Sequence, residues 1–172
     1  MFTLIDMDTI GKGRSVKGAD RLFESIKNRL KPEGPNEVVV ASHKGKAAVK
    51  LAELLGKQAH ITSITEFVYN DETKKEMKKL NITIVEKANL PIQDNREMRE
   101  TLLMFGSEIK AALEVAVIAK NMKIVKGEFI SVAGGEEGLN TALLVNTEYP
   151  EKETVSDPTK QLKVEEFLML PS

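Results

Sequence analysis

The chain has 172 residues, 41% hydrophobic and 30% charged, which is enough apolar material for one core beneath a well-solvated surface. Twenty-five basic and twenty-six acidic side chains leave a net charge of −1, so bulk charge gives no support to nucleic-acid or membrane affinity, and two tyrosines without Trp are thin for base stacking. With no cysteine and only His43 and His60, thiol catalysis, disulfides, Cys-zinc sites and multi-histidine metal sites are excluded.

The amino-terminal FTLIDMDTI alternates apolar and polar residues weakly, compatible with a strand, and lacks the basic region of a secretory leader. No apolar run is long enough to span a bilayer, so the expectation is a soluble cytoplasmic protein. Residues 18–30 read as an amphipathic helix with Leu22, Ile26 and Leu30 on one face. Lys31-Pro-Glu-Gly-Pro-Asn36 stops it, because proline cannot continue a helix. Glu37–Ala41 (EVVVA) is a β-branched run without polar alternation, which suits a strand covered on both faces.

Helices and strands then alternate. Lys46–Leu55 is a helix with Gly56 as its cap, and His60–Ile64 is a strand. Asp71–Leu80 is a charged helix that keeps Met77 and Leu80 for the core, and Ile82–Val85 is a third strand. Asp94 caps a helix starting near Asn95, which Gly106 bends or divides before Asn121. Its second half, SEIKAALEVAVIAK, is apolar almost all round and should be the most buried helix. Glu128–Ala133, Thr141–Asn146 and Leu162–Leu170 read as strands, with Glu148–Lys160 as an exposed polar loop. The order predicts one α/β domain, a three-layer α/β/α sandwich whose open sheet is mostly parallel with an antiparallel edge.

In open α/β sheets, ligands collect outside the carboxyl ends of the strands. Two segments fall there. Ser42-His43-Lys44-Gly45-Lys46-Ala47 joins EVVVA to the next helix. It supplies a hydroxyl, two lysines, a glycine that lets backbone pass close to a ligand, and the unpaired amides of a helix start. That combination suits a phosphate or another anion. A tight strand-to-helix turn with solvated lysines explains it equally well.

The second segment holds Gly134, Gly135, Gly138, Asn140 and Thr141. Three glycines in five residues can form an anion-binding nest, with Asn140 and Thr141 hydrogen-bonding a ligand edge. Glu136 and Glu137 oppose a phosphate there, and a glycine-permitted hairpin is the alternative. His43 is placed for acid–base work, but no acidic neighbour in sequence orients it. His60 reads as a packed or edge histidine, and the lysines at 74, 75, 78 and 79 as a solvated face.

EVVVASHKGKAAVKLAELL resembles the start of the pyruvate kinase carboxyl-terminal domain. The later ETLLMFGSEIKAALEVAVIAKNMKIVKGEFISVAGGEEGLNTALLV is similar to the closing half of stand-alone proteins built on that domain, over roughly residues 17–146. The resemblance implies a phosphorylated ligand, a sugar bisphosphate or FMN. Ser42, Lys44, Gly45, Lys46 and Ala47 would form a phosphate cradle, with Gly134, Gly135, Gly138, Asn140 and Thr141 as the facing wall. The turn carries lysines where the family favours hydroxyls, Asn140 replaces the usual acid, and KANLPIQDN departs from the relatives' middle region. Pyruvate kinase activity is excluded, because the catalytic barrel needs about 250 residues of its own.

The functional expectation is non-catalytic binding of a small phosphorylated or anionic ligand. The alternatives are an FMN flavoprotein and an oligomerisation protein, since the related domain contributes to subunit contacts. A homo-oligomer is compatible with all three.

Overall fold

The computed structural model describes residues 14–135, 137–148 and 161–171. The predicted amino-terminal strand and nearly all of the 148–160 loop lie outside them. The described elements are α1 (Arg14–Lys27), β1 (Glu37–Ala41), α2 (Lys46–Leu55), a 3-10 turn (Gly56–Gln58), β2 (His60–Ile64) and α3 (Asp71–Lys79). There follow β3 (Thr83–Val85), α4 (Arg96–Leu103), α5 (Ser107–Asn121), β4 (Glu128–Gly135), β5 (Gly138–Asn146) and β6 (Lys163–Met169).

Six strands form one sheet in the order β3-β2-β1-β4-β5-β6. β3, β2, β1 and β4 run parallel, while β5 and β6 are added antiparallel. The architecture is therefore the expected α/β sandwich. The parallel part needs helical crossovers and the antiparallel β4–β5 pair needs only a turn, which is why no helix follows α5 among the described residues.

Alternation along the strands splits the core into two layers. Val38 and Val40 face α1, α2 and α3, joining Leu22, Ile26, Leu51, Leu55 and Met77. Val39 faces the opposite side with Ala112, Val115, Ala116, Ala119 and Phe129, beneath α5. EVVVA lacks polar alternation because both of its faces are covered. α4 packs on α5.

One expectation is corrected: Asn95, not Asp94, caps α4, its side chain accepting from the Met98 N–H at 3.1 Å. Of the two roles expected for Gly106, dividing the helix is the one found, with Gly106 standing as N-cap of α5.

Candidate functional site

Strand order turns at β1. Its crossover to β2 runs over one face and the chain returns to β4 on its other side over the opposite face, so β1 and β4 diverge at their carboxyl ends. Helices α2, α3 and α5 all begin at this end. A cleft of ≈ 460 Å³ opens there, within the roughly 300–1,000 Å³ usual for small-molecule sites. Ala41, Ser42 and His43 line it from β1, and Ile64, Thr65 and Glu66 from β2. Gly134 lines it from β4, Leu90 and Gln93 from the segment before α4, and Ser107, Lys110, Ala111, Glu114 and Val115 from α5.

Of the sequence-derived candidates, the cleft gathers Ser42, His43 and Gly134. Lys44, Gly45, Lys46, Ala47, Gly135, Gly138, Asn140 and Thr141 are not among its lining residues. The β1–α2 turn is instead tied into the protein. Ser42 Oγ accepts the Gly45 N–H at 3.0 Å, the Ser42 N–H donates to Ile64 O, and the Ser42 carbonyl accepts the Tyr69 hydroxyl at 2.8 Å. Tyr69 also shares a 2.6 Å hydrogen bond with Ser63. Burial, partly offset by the Ser63 hydrogen bond and reinforced by the charge of Glu86, pushes the Tyr69 phenol up to about 12.

Gly45 has φ +83°, and a Cβ there would lie 2.6 Å from Thr73 Cγ2 and 2.7 Å from Met77 Cε. The glycine admits α3, so close packing within the protein already accounts for it. His43 is exposed and packs its ring against Phe67, centroids 5.5 Å apart at 48°. Lys44 and Lys46 point to solvent.

The second glycine segment is a hairpin. Gly135 pairs with Gly138, and the register slips by one residue at Asn140, between the Gly134–Leu139 and Ala133–Thr141 pairs. A Cβ on Gly134 would meet the Gly138 carbonyl oxygen at 2.1 Å, so the strands approach too closely for any side chain. Gly138, at φ +113°, adopts a turn conformation open mainly to glycine. The Glu108 carboxylate lies 3.1 Å from where a Gly135 Cβ would stand, a poor neighbour for phosphate. Thr141 is fully buried and donates to Asn140 Oδ1 at 2.9 Å.

The lining residues missed by sequence reasoning come from the end of β2, from α5 and from the segment before α4. Glu114 is only 4% exposed. Its Oε2 accepts the Ile92 N–H at 2.7 Å and its Oε1 the Gln93 N–H at 2.8 Å. Burial raises its pKa, outweighing those two N–H groups and Lys110, with Asp94 adding to the rise. Lys110 donates from Nζ to Gln93 Oε1 at 2.5 Å, and Arg99 donates to the Gln93 carbonyl at 2.6 Å. The available signal was a glutamate inside an otherwise apolar helix face, four residues after a lysine.

A larger cavity of 1010 Å³ lies at the opposite end of the sheet, between the α1–β1 loop, the 3-10 turn and the end of α3. There α1, α2 and α3 present their carboxyl termini, each carrying about half a negative charge. Glu37 adds a carboxylate that accepts from His60 Nδ1 at 2.8 Å, while His60 Nε2 lies 2.9 Å from Thr83 Oγ1. Hydroxyl, imidazole and carboxylate stand in the order of an acyl-transfer triad, but Thr83 does not line the cavity. The cleft at the carboxyl end of the sheet has helix starts and Lys110 beside the carboxyl groups of Glu66 and Glu114. Among the described residues no helix is long and apolar enough to cross a membrane, and no cluster of acidic or histidine side chains could hold a metal. No protein-family model matches the chain, and no curated protein matches it.

Proposed function

We propose that the protein is a non-catalytic binding domain that holds a small phosphorylated or otherwise anionic metabolite at the carboxyl ends of β1, β2 and β4. The observation that carries this reading is Lys110. It brings a cation to the cleft, one turn into α5, with its ammonium oriented by Gln93. Helix starts supply partial positive charge at the same end, Ser42, Thr65 and Ser107 supply hydroxyls, and Ile64, Leu90 and Val115 supply an apolar wall. The resemblance of EVVVASHKGKAAVKLAELL to the start of the pyruvate kinase carboxyl-terminal domain supports the same reading, of a regulatory-type binding domain. A parallel sheet continued by an antiparallel edge is compatible with it.

The test is native mass spectrometry of the purified protein, followed by thermal unfolding with a panel of sugar phosphates, inorganic phosphate and FMN. A bound anion raises Tm by mass action, and Lys110→Ala removes most of that rise. A protein that carries no ligand and responds to nothing in the panel ends the binding reading.

The His43–Phe67 ring pair favours a second reading, an FMN-binding flavoprotein with redox activity supplied by the cofactor. Visible absorption of the purified protein separates the two. Leu103, Met104 and Phe105, exposed in succession between α4 and α5, favour an oligomer, which light scattering at several concentrations would detect.

A further inference from the structure

We propose that Glu114 is the positioning residue of this cleft: its carboxylate holds the Leu90–Asn95 wall and, through Gln93, aims Lys110 at the bound anion. The inference rests on the anion-binding reading and adds to it how the site is built and regulated. The wall is a short irregular segment closed by Asp94 N–H to Leu90 O and Asn95 N–H to Ile92 O. Its two central amides, Ile92 and Gln93, are taken up by Glu114. Gln93 then passes the constraint on, since its side-chain oxygen is the acceptor for Lys110.

The chemistry requires a carboxylate. Two N–H groups converge on one side chain, and only an ionised Asp or Glu offers two acceptor oxygens and no donor. A glutamine in its place presents an NH2 to one of them. Burial works against this choice, because it favours the protonated acid. Burial and the two amides therefore pull in opposite directions, so the hold of Glu114 on the wall is one that falling pH can weaken.

Sign follows from geometry. The carboxylate accepts both amides. As pH falls through the raised pKa, one oxygen gains a proton, an acceptor is lost, and the wall with Lys110 loosens. The titratable and charged groups around Glu114 are Lys110 on α5, Asp94 in the wall, Arg99 from α4 at the Gln93 carbonyl, and His43 and Glu66 across the cleft.

The experiment is amide hydrogen exchange by NMR at Ile92 and Gln93, in the wild type, Glu114→Gln and Glu114→Asp, corrected for intrinsic rates between pH ~8 and ~4. Inorganic phosphate is titrated into each near neutral pH. Expected are pH-dependent protection in the wild type, about tenfold lower and pH-independent protection in Glu114→Gln, and about tenfold weaker phosphate binding there. Glu114→Asp, which keeps two oxygens, restores part of both. Full protection in Glu114→Gln overturns the proposal, and so does phosphate affinity that survives loss of protection. Phosphate that shifts no cleft resonance in the wild type ends the anion-site reading and the Lys110 half of the proposal. The exchange data then decide the hold on the wall independently.

Discussion

The turn between β1 and α2 and the wall between β3 and α4 meet at the same cleft, yet they spend their polar groups differently. In the turn, Ser42 is engaged through its N–H, carbonyl and hydroxyl oxygen by Ile64, Tyr69 and Gly45, and Gly45 is packed against α3. Its lysines face solvent. At the wall, a buried carboxylate and a lysine, both from α5, converge through Gln93 on the cleft itself. The glycine-rich turn gives backbone geometry, while the apolar-looking helix supplies the charge. A glycine pattern reports close approach of something, and here the thing approached is the protein's own α3 helix and β-hairpin.

Four outcomes would break or sharpen that contrast. The largest is Gly45→Ala, which adds a left-handed strain of about 1–2 kcal/mol and a contact with Thr73 and Met77 costing about 1–3 kcal/mol. A loss of about 3 kcal/mol in urea unfolding is expected, and a neutral substitution would mean that the turn is not packed as described.

Ser42→Ala should follow at about 1–2 kcal/mol, because the buried Gly45 N–H loses its acceptor. Tyr69 tests the same network by pH. Its folded pKa lies above its ordinary value, so its contribution is complete below pH 10.0 and is lost as pH rises toward about 12. Ultraviolet titration of a Tyr149→Phe variant should show Tyr69 ionising only near that upper limit. Ionisation at the usual phenol pH would place it outside the core.

The smallest expected effect is the most discriminating. Lys44→Ala combined with Lys46→Ala should change phosphate affinity by less than about twofold at moderate salt, while Lys110→Ala weakens it about tenfold. Calorimetric titration that reversed this order would return the site to the β1–α2 turn.

Periodicity made most of the fold legible. EVVVA, HITSI and TALLVN stand in strands as read, each buried over most of its length, and EVVVA shows the continuous β-branched run of a strand covered on both faces. Helix starts were less legible. Asn95 and Asp94 are both good caps, and only the local backbone decides which one accepts an amide. Of the cleft lining, Ser42, His43 and Gly134 were legible because a strand-to-helix turn and a strand end must lie at the carboxyl edge. Glu114 and Lys110 were not, because a lysine and a glutamate four apart on a helix read as a surface pair unless the apolar residues around them are weighed.

By itself the sequence determined a single α/β chain, without cysteine chemistry or a histidine metal site, and with a mostly parallel sheet. Those properties follow from composition and from local periods of two and 3.6 residues. Only the tertiary structure decided that the glycines close a hairpin and a helix contact, and that Glu114 is buried against two backbone amides. Burial and hydrogen-bond partnership join residues distant in the chain: Gly45 with Met77, Glu114 with Ile92. No local period encodes such meetings, and they are what turns a charge on a helix into a cleft.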